Sequence, residues 1–457
     1  MNNIYGIILG AGEGTRMKSC LPKVLHKVCG KELISHVVEC MKEAVKMQKL
    51  LIVLGNGSDF VIKCLAKYHA DYVFQKERLG SAHALLCAKD KLKNLDGQLI
   101  VMCGDTPLVQ SKTIKSLLKY HIKNKNSATV LSGIIENPFG YGRIVRDKKG
   151  KVIYIVEERS ATNQEKQIKE INSGIYCFDL RVLWKALIKV DNKNNKKEYY
   201  LTDVIAILNK YGYKTDAVAL TNEEEILGVN TRKQLSVANK ILRDRKNNEL
   251  LAKGVTIINP ETTYIDTDVV IGQDTIIKPN SYIEANTKIG RNCIIGPDTT
   301  IKDSLIADNV FITNSYIEKS KIERGVKVGP FAHLRPNSVL KENVRIGNFS
   351  EVKKSVVGYG SKINHLSYIG DAIVGKNVNI GAGTITCNYD GKNKYQTIIK
   401  DDVFVGSNVN LVAPVNIGSK VFIAAGSTIT DNISSNKLAI ARERQIVKEK
   451  NKRIKWS

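Results

Sequence analysis

The spacing of hydrophobic residues divides the chain into two regions with different periods. In residues 1–230, short apolar runs at 4–9, 50–54 and 99–103 alternate with amphipathic stretches such as 34–45. Runs of this length are typical of buried strands, and apolar residues three or four positions apart are typical of helices. Their alternation predicts a Rossmann-like α/β domain with a mostly parallel sheet. Ligands bind such sheets at the carboxyl ends of the strands.

Beyond residue 254 the apolar residues recur every six positions. They form three runs: Ile271, Ile277, Ile283, Ile289, Ile295, Ile301; Ile322, Val328, Leu334, Leu340, Ile346, Val352; and Ile399, Val405, Leu411, Ile417, Ile423, Ile429. A period of six matches neither an α-helix nor an alternating strand. It is typical of hexapeptide repeats, in which each repeat supplies a short strand and a turn. The pattern predicts a left-handed parallel β-helix with ladders of aliphatic side chains inside.

Two further segments set the domain organisation. Residues 231–252 contain neither proline nor glycine and predict one helix, with Thr231 as its cap and Gly254 just past its end. We therefore expect domains at 1–230 and 253–457, a linker helix at 231–252 and a basic C-terminal tail. The polar segment 387–395, CNYDGKNKY, interrupts the repeat and predicts a loop that leaves the coil.

Composition narrows the class of protein. With 43% hydrophobic and 25% charged residues, the chain resembles an ordinary globular protein. The nine cysteines include no Cys-x-x-Cys pair, so we expect reduced thiols in the cytoplasm rather than disulfides or a zinc site. We expect neither a signal peptide nor membrane insertion. The net charge of +25 predicts anionic partners, and nucleic acid is not favoured among them because no recognition module for it is present.

A glycine-rich segment follows the first predicted strand. It reads LGAGEGTRM over 9–17 and places Gly10, Gly12 and Gly14 two residues apart, with Arg16 and then Lys23 after them. Glycines let a backbone approach a ligand and direct its N–H groups at phosphate. Two cations beside such a loop suit a triphosphate whose negative charge grows on a departing pyrophosphate.

These residues resemble the GxGTRM and LPK motifs of the sugar-1-phosphate nucleotidyltransferases. Later motifs agree in order, namely QKERLGSAHA, CGDTPL, Gly140-Tyr141-Gly142-Arg143, Glu157, EINSGIY and GVN. With the hexapeptide repeats, nearly the whole chain resembles the family of bifunctional N-acetylglucosamine-1-phosphate uridyltransferases and glucosamine-1-phosphate N-acetyltransferases. The chain has Gly10, Ser81 and Cys103 where that family usually has Ala, Thr and Tyr. Cys103 lacks the aromatic ring and could loosen one ligand contact.

The resemblance implies a uridyltransferase site in the first domain, with Arg16 and Lys23 as catalytic residues and Mg²⁺ held by Asp105 and Asn230. Asp105 follows a predicted strand directly, and Mg²⁺ prefers few protein oxygens together with waters and substrate phosphates. The implied contacts to UTP and N-acetylglucosamine 1-phosphate are Leu9, Gly10, Ala11, Gly12, Lys23, Gln75, Gly80, Ser81, Cys103, Gly104, Asp105, Gly142, Glu157, Asn172 and Asn230.

The second domain has a candidate base for acetylation of an amine. His365 lies in the most unusual stretch of the repeats, and an imidazole titrates near neutrality. The resemblance implies His365 as the general base. It also implies contacts to glucosamine 1-phosphate from Arg335, Lys353, Tyr368 and Asn379, and contacts to acetyl-CoA from Ala382, Asn388, Tyr389, Ser407, Ala425 and Arg442. Arg335 and Lys353 are one full coil apart, so a regular register predicts a phosphate clamp on one face.

Three hypotheses follow for function. The first is a cytoplasmic bifunctional enzyme that makes UDP-N-acetylglucosamine, a cell-wall precursor, and the resemblance implies a homotrimer with shared acetyl sites. The second is a sugar-1-phosphate nucleotidyltransferase whose β-helix serves only structure or regulation. The third, drawn from the charge alone, is a nucleic-acid-binding or scaffold protein without enzymatic activity.

Overall fold

A computed structural model describes residues 3–55, 58–194 and 196–449. The chain forms two compact units, Met1–Leu242 and Arg243–Ser457. No helix among the described residues combines the length and the apolar character needed to cross a membrane.

The first unit consists of a central sheet, helices on its two faces and a small hairpin. Its strands are β1 (Ile4–Leu9), β2 (Lys27–Val28), β3 (Lys31–Glu32), β4 (Lys49–Leu54), β5 (Asp71–Phe74), β6 (Gln98–Cys103), β7 (Ala128–Ile134), β8 (Arg143–Arg146), β9 (Val152–Val156), β10 (Glu170–Asp179) and β11 (Thr215–Leu220). Its helices are α1 (Leu33–Ala44), α2 (Asp59–Leu65), α3 (Ser81–Cys87), α4 (Lys89–Leu92), α5 (Ser111–Lys123), α6 (Asn163–Lys166), α7 (Leu180–Leu187) and α8 (Asp203–Lys210).

The central sheet is mixed, with strand order β11-β7-β10-β6-β1-β4-β5 and a β8–β9 hairpin attached to β10. Strands β5, β4, β1 and β6 are parallel, as the alternation of strands and helices predicts. Strand β10 runs antiparallel to both β6 and β7. The prediction of a mostly parallel sheet missed this reversal, because an apolar run indicates that a strand is buried and not which way it runs.

Alternating side chains of the strands fill two apolar layers. Ile7 of β1 packs on one face with residues of α3, α7 and α8, and its neighbour Ile8 packs on the other face with α1, α2 and α5. Successive side chains of a strand point to opposite faces, so a short continuous apolar run is what a sheet covered on both sides requires.

Helix α9 (Arg232–Ala252) lies where a helix was predicted, and the division between the units falls inside it. Thr231 caps it, since its Oγ1 accepts a hydrogen bond from the N–H of Gln234 at 3.2 Å. Gly254, just past the end, has the positive φ of 84° that favours glycine. Ala238 packs in the first unit, and Leu250 packs in the second.

The second unit is a parallel β-helix of short strands. They are β12 (Thr256–Ile257), β13 (Tyr264–Ile265), β14 (Val270–Ile271), β15 (Ile276–Ile277), β16 (Ser281–Glu284), β17 (Lys288–Ile289), β18 (Ile294–Ile295), β19 (Thr299–Lys302), β20 (Leu305–Ile306), β21 (Phe311–Ile312), β22 (Tyr316–Glu318), β23 (Lys321–Ile322), β24 (Lys327–Val328), β25 (His333–Leu334), β26 (Val339–Leu340), β27 (Arg345–Asn348), β28 (Glu351–Lys353), β29 (Val356–Val357), β30 (Lys362–His365), β31 (Tyr368–Gly370), β32 (Ala372–Val374), β33 (Asn379–Ile380), β34 (Ile385–Cys387), β35 (Thr397–Ile399), β36 (Phe404–Val405), β37 (Asn410–Val412), β38 (Val415–Ile417), β39 (Phe422–Ile423), β40 (Thr428–Ile429) and β41 (Leu438–Ala439).

Every third strand joins the same sheet, except that the last strand, β41, pairs with β39, so the coil has three faces. The first face contains β12, β15 and so on to β41, the second runs from β13 to β40, and the third from β14 to β38. Every aliphatic residue of the three predicted runs is buried in one continuous cluster, which confirms the predicted parallel β-helix. The gap between the first two runs is filled by Ile306, Ile312 and Ile317, where the step shortens to five residues in places.

The predicted loop at 387–395 leaves the coil between β34 and β35. Elsewhere in the stack, residues that pair in adjacent coils are separated along the chain by about three hexapeptides. Leu334 and Val352 are one such pair of register partners. Across the loop the partners are Ala372 and Thr397, a longer offset. The insertion therefore extends one coil outward without disturbing the stack.

Candidate functional site

The glycine-rich segment begins where β1 ends, at the carboxyl edge of the parallel strands. The N–H of Gly10 donates to the carbonyl oxygen of Val53 at 2.8 Å, and the N–H of Gly104 donates to that of Leu9 at 2.9 Å. A Cβ atom placed on Gly12 would meet no atom within 4 Å. Protein packing therefore does not require glycine at that position, and the open space beside it suits a bound ligand.

A cluster of two cations, one carboxylate and one amide lies next to this segment. Lys23 forms an ion pair with Asp105, and its Nζ donates to Oδ1 of Asn230 at 3.0 Å. Nη2 of Arg16 donates to the same Oδ1 at 2.9 Å. The N–H of Val229 donates to the carbonyl oxygen of Asp105 at 2.9 Å, which fixes the Asn230 segment against the end of β6. The structure thus brings together four predicted residues from three distant parts of the chain.

The donor set at this cluster fits a magnesium ion. Oxygens of Asp105 and Asn230 lie within hydrogen-bonding distance of one nitrogen, that of Lys23. One carboxylate and one amide oxygen are the few protein ligands that Mg²⁺ takes when waters and phosphates complete its shell. Over the described ranges, no group of three or more His, Cys, Asp or Glu residues could hold a metal ion.

A second group of predicted residues surrounds a bulge in β10. The pairing of β10 with β7 shifts register between Asn172 and Ile175. The N–H of Asn172 donates to the carbonyl oxygen of Gly142 at 2.9 Å, and Sγ of Cys103 lies 3.7 Å from the carbonyl oxygen of Gly174. Cys103, Gly142 and Asn172 are therefore neighbours, and their contact with a substrate stays a prediction.

Two residues that the sequence did not single out hold the polar groups of this second group. Nδ2 of Asn172 donates to the hydroxyl of Tyr176 at 2.8 Å, and the hydroxyl of Thr202 donates to Oε1 of Glu157 at 3.3 Å. Burial raises the pKa of Glu157. Tyr176 ends the EINSGIY motif, but only Asn172 of that motif was assigned a role. Thr202 lies in a stretch whose pattern only indicates the start of a helix.

The thiol of Cys103 is not an activated nucleophile. Burial raises its pKa to about 12, and the nearby carboxylate of Asp105 acts in the same direction. A thiol with such a pKa stays protonated at neutral pH. Cys103 therefore contributes shape and a weak donor rather than covalent chemistry.

Gln75, Gly80 and Ser81 lie together at the start of α3, with their polar groups directed at the protein. Nε2 of Gln75 is 3.0 Å from the carbonyl oxygen of Gly80, and the hydroxyl oxygen of Ser81 accepts the N–H of Leu201 at 2.9 Å. Gly80 has a φ of 108°, and a Cβ there would overlap the carbonyl oxygen of Tyr199. These contacts explain the motif structurally, and its binding role stays a prediction.

In the β-helix, His365, Ala382, Ser407 and Ala425 lie at the corner between the first and second faces. Ile363 pairs with Ile380, so His365 and Ala382 occupy equivalent positions in neighbouring coils. Later coils place the remaining small residues in the same column: the N–H of Asn408 donates to the carbonyl oxygen of Ala382 at 2.7 Å, and the N–H of Gly426 donates to that of Ser407 at 2.8 Å.

The lower end of this column contains Ala425 and Arg442. Nη1 of Arg442 donates to the carbonyl oxygen of Ala425 at 3.0 Å. Asn388, at the start of the inserted loop, donates from Nδ2 to Oδ2 of buried Asp371 at 2.6 Å. Tyr389 is 60% exposed. Asn379 stands apart from the corner, at the beginning of β33 on the first face.

Arg335 and Lys353 lie in adjacent coils of the second face, as the register of Leu334 with Val352 requires. Nη1 of Arg335 donates to Oε1 of Glu351 at 2.8 Å. The ammonium of Lys394 lowers the pKa of Lys353, and the guanidinium of Arg335 adds to this effect. Three cations therefore converge here, which favours an anionic ligand. Sequence reasoning missed Glu351 and Lys394, although Lys394 lies in the loop that it singled out.

His365 itself is exposed at the corner. Its Nδ1 lies 2.6 Å from Oδ1 of Asn348, a residue one coil earlier that the sequence did not single out. The other ring nitrogen, Nε2, is thereby left for a ligand.

Comparison with known proteins agrees with this architecture. The "Nucleotidyl transferase" family model matches residues 5–225. Models described as "EIF2B subunit epsilon LbH domain" and "GMPPB C-terminal domain" match residues 248–352 and 316–410. Fold and sites define the class as a transferase in which a nucleotidyltransferase domain is followed by a left-handed β-helix.

Curated relatives match over nearly the whole length. The chain is 50% identical to the bifunctional protein GlmU of Clostridioides difficile over 98% of this chain and 97% of the relative. It is 48% identical to that of Clostridium novyi over 96% of each chain, and 49% identical to that of Listeria welshimeri over 97% of each. The chain belongs to the family of bifunctional GlmU proteins.

Proposed function

We propose that the chain catalyses two steps in the synthesis of UDP-N-acetylglucosamine. The β-helix transfers the acetyl group of acetyl-CoA to the amine of glucosamine 1-phosphate. The first unit then joins N-acetylglucosamine 1-phosphate to the UMP part of UTP and releases pyrophosphate. The observation that supports this best is that a chain of the GlmU family contains two separate clusters of suitable chemistry. One joins Lys23 and Asn230 in the first unit, and the other joins His365 and Asn348 in the β-helix.

In the uridylyl transfer, the substrate phosphate attacks the α-phosphorus of UTP and no covalent enzyme intermediate is needed. The open space at Gly12 receives the triphosphate, and Arg16 and Lys23 balance its growing negative charge. Asp105 and Asn230 would hold Mg²⁺, which would neutralise phosphate charge when bound. The predicted contacts around Glu157 and Asn172 orient the sugar.

In the acetyl transfer, the amine nitrogen attacks the thioester carbonyl, a C–N bond forms and the C–S bond breaks. Nε2 of His365 takes the proton that the amine loses, and coenzyme A leaves as its thiol or thiolate. Arg335 and Lys353 bind the sugar phosphate. The column from Ala382 to Arg442 is the proposed surface for acetyl-CoA.

The remaining features of the proposal follow from the resemblance. We propose a cytoplasmic homotrimer, with small anionic substrates rather than nucleic acid as partners. The hypothesis of a nucleotidyltransferase with a purely structural β-helix is not favoured by the full-length match to bifunctional relatives.

Two substitutions separate the activities. His365→Ala removes the proposed base, so acetyl transfer should fall by at least about 100-fold while pyrophosphate release from UTP stays at the wild-type rate. Asp105→Asn should lower pyrophosphate release from UTP and leave acetyl transfer at the wild-type rate. Asp71→Asn, which removes an exposed carboxylate of the first unit, serves as the matched control and should change neither rate. Full acetyl transfer by His365→Ala would contradict the assignment of the second site.

A further inference from the structure

The backbone of the β-helix places Asn348 directly beside His365. Strand β27 ends at Asn348 and strand β30 ends at His365, and the two residues are register partners in the parallel pair. The N–H of Leu366 donates to the carbonyl oxygen of Asn348 at 3.1 Å. A Cβ on Gly347 would overlap the carbonyl oxygen of Asn364. Glycine at 347 therefore permits the close approach of the two coils at this corner.

The hydrogen bond between the two side chains has a defined donor and acceptor. Oδ1 of Asn348 lies 2.6 Å from Nδ1 of His365. An amide oxygen can only accept a hydrogen bond, so the imidazole must carry its proton on Nδ1. A neutral imidazole has one ring proton, which leaves a lone pair on Nε2. Only that tautomer presents a base at the outer nitrogen.

We propose that Asn348 is a positioning residue for the acetyl transfer, which selects the Nδ1–H tautomer of His365 and fixes the direction of its Nε2 lone pair. The inference rests on the proposed role of His365 as general base and goes beyond it. Asn348 touches neither substrate in this account and acts through the imidazole alone. A base with the wrong tautomer would present an N–H to the amine and could not accept its proton.

A purely structural role for Asn348 would be a link between neighbouring coils. The chain contains such links elsewhere: Nδ2 of Asn286 donates to Oδ1 of Asp303, one coil later, at 3.2 Å. Asn286 is exposed, like His365. Neither Asn286 nor Asn348 has a positive φ, so replacement of either causes no backbone strain. Asn286→Ala is therefore a matched control for the loss of an amide hydrogen bond between neighbouring coils.

The experiment uses the full-length protein and three variants: Asn348→Ala, Asn348→Asp and Asn286→Ala. For Asn348→Ala we expect kcat of acetyl transfer to fall by about 10- to 100-fold, by analogy with the hydrogen-bond partners that orient metal-binding histidines, with the KM for glucosamine 1-phosphate changed less than about twofold. Asn348→Asp should restore much of kcat, because a carboxylate oxygen also accepts from Nδ1–H. Asn286→Ala should leave kcat at the wild-type value.

The ¹⁵N chemical shifts of His365 give a readout that a structural link would not move. In the wild type and in Asn348→Asp, Nδ1 should show the shift of a protonated nitrogen, and in Asn348→Ala the two nitrogens should approach a tautomeric mixture. Unchanged kcat or unchanged tautomer in Asn348→Ala would overturn the inference. An equal loss in Asn286→Ala would assign the effect to coil packing.

The proposed function fails separately from this inference. If His365→Ala keeps full acetyl transfer, the base is wrongly assigned and the role of Asn348 falls with it. If His365→Ala loses acetyl transfer while Asn348→Ala keeps it, His365 remains the assigned base and only the positioning role of Asn348 is contradicted. Uridylyl transfer by the same chain reports that each variant is folded in its first unit.

Discussion

His121 is a buried imidazole that lies in neither candidate site. It is 1% exposed, and its two ring nitrogens lie 2.8 Å from Oγ1 of Thr129 and 2.7 Å from Oε1 of Gln98. Burial lowers its pKa to about 4. The folded protein therefore holds His121 neutral at pH values where an unfolded chain would protonate it.

This burial predicts acid sensitivity of the fold. Because the folded pKa lies below the unfolded value of about 6.5, the contribution of His121 to stability is complete above pH 6.5 and is lost as the pH falls towards 4. Between pH 7 and 5 the loss amounts to about 2 kcal/mol. Urea unfolding at both pH values measures it. His121→Gln, which cannot titrate, should lose about 2 kcal/mol less than the wild type; equal losses would contradict the prediction.

At the scale of single residues, the sequence predicted partners that carry a motif and missed those that only support one. Lys23, Asp105 and Asn230 each belong to a motif, and they meet in the structure. Asn348 and Tyr176 act on a functional side chain through one hydrogen bond each. The neighbour of Asn348 comes from another coil, which the spacing of residues along the chain does not reveal. Tyr176 lies in the same motif as Asn172, but the bulge that brings their side chains together is not visible in the sequence pattern.

Among the elements, β30 connects the ladder of aliphatic residues to the proposed base. Ile363, within β30, is fully buried between Ile346 and Ile380 of the neighbouring coils. Removing its side chain leaves a cavity directly beneath the segment that carries His365. A packing defect at this position therefore loosens both the stack and the corner.

Ile363→Ala should lower the free energy of unfolding by about 2–5 kcal/mol and also lower kcat of acetyl transfer. Ile295→Ala removes an equally buried isoleucine from β18 on the same face and is the matched control. It should cost similar stability and leave kcat per folded molecule unchanged. Urea unfolding and acetyl-transfer assays below the transition check both. A similar loss of kcat in both variants would mean that general loosening, and not the local corner, limits catalysis.

The pattern of the elements was predictable to different degrees in the two units. The six-residue period specified the inward positions of the coil, because each inward side chain stacks on its equivalent one coil away. The six-residue period failed between Ile301 and Ile322, where some buried aliphatic residues are five positions apart. Their side chains still stack in the same continuous core. In the first unit the reversal of β10 was missed, since strand direction depends on how the connections cross the sheet.

For the molecule as a whole, the distribution of its hydrophobic cores bears on the domain boundaries. The continuous cluster of the β-helix begins at Leu250, and the clusters of the first unit include no residue beyond Leu242. Each unit thus has its own core, which is the condition for independent folding. The boundary at residue 230 expected from the sequence would, however, remove residues of α9 that pack in the first unit.

A truncation series therefore tests where the first domain ends. A fragment of residues 1–252 should catalyse uridylyl transfer and lack acetyl transfer, because it keeps the first core and all of α9. A fragment of residues 1–230 loses Ala238, which packs with Val28 and Leu33, and Asn239, whose Oδ1 accepts the N–H of Cys29 at 2.9 Å. The shorter fragment should unfold at a lower urea concentration than the longer fragment. Its free energy of unfolding should be lower by several kcal/mol if the cluster around Val28 and Leu33 opens to water. Equal stability of the two fragments would show that α9 belongs to the linker, as the sequence predicts.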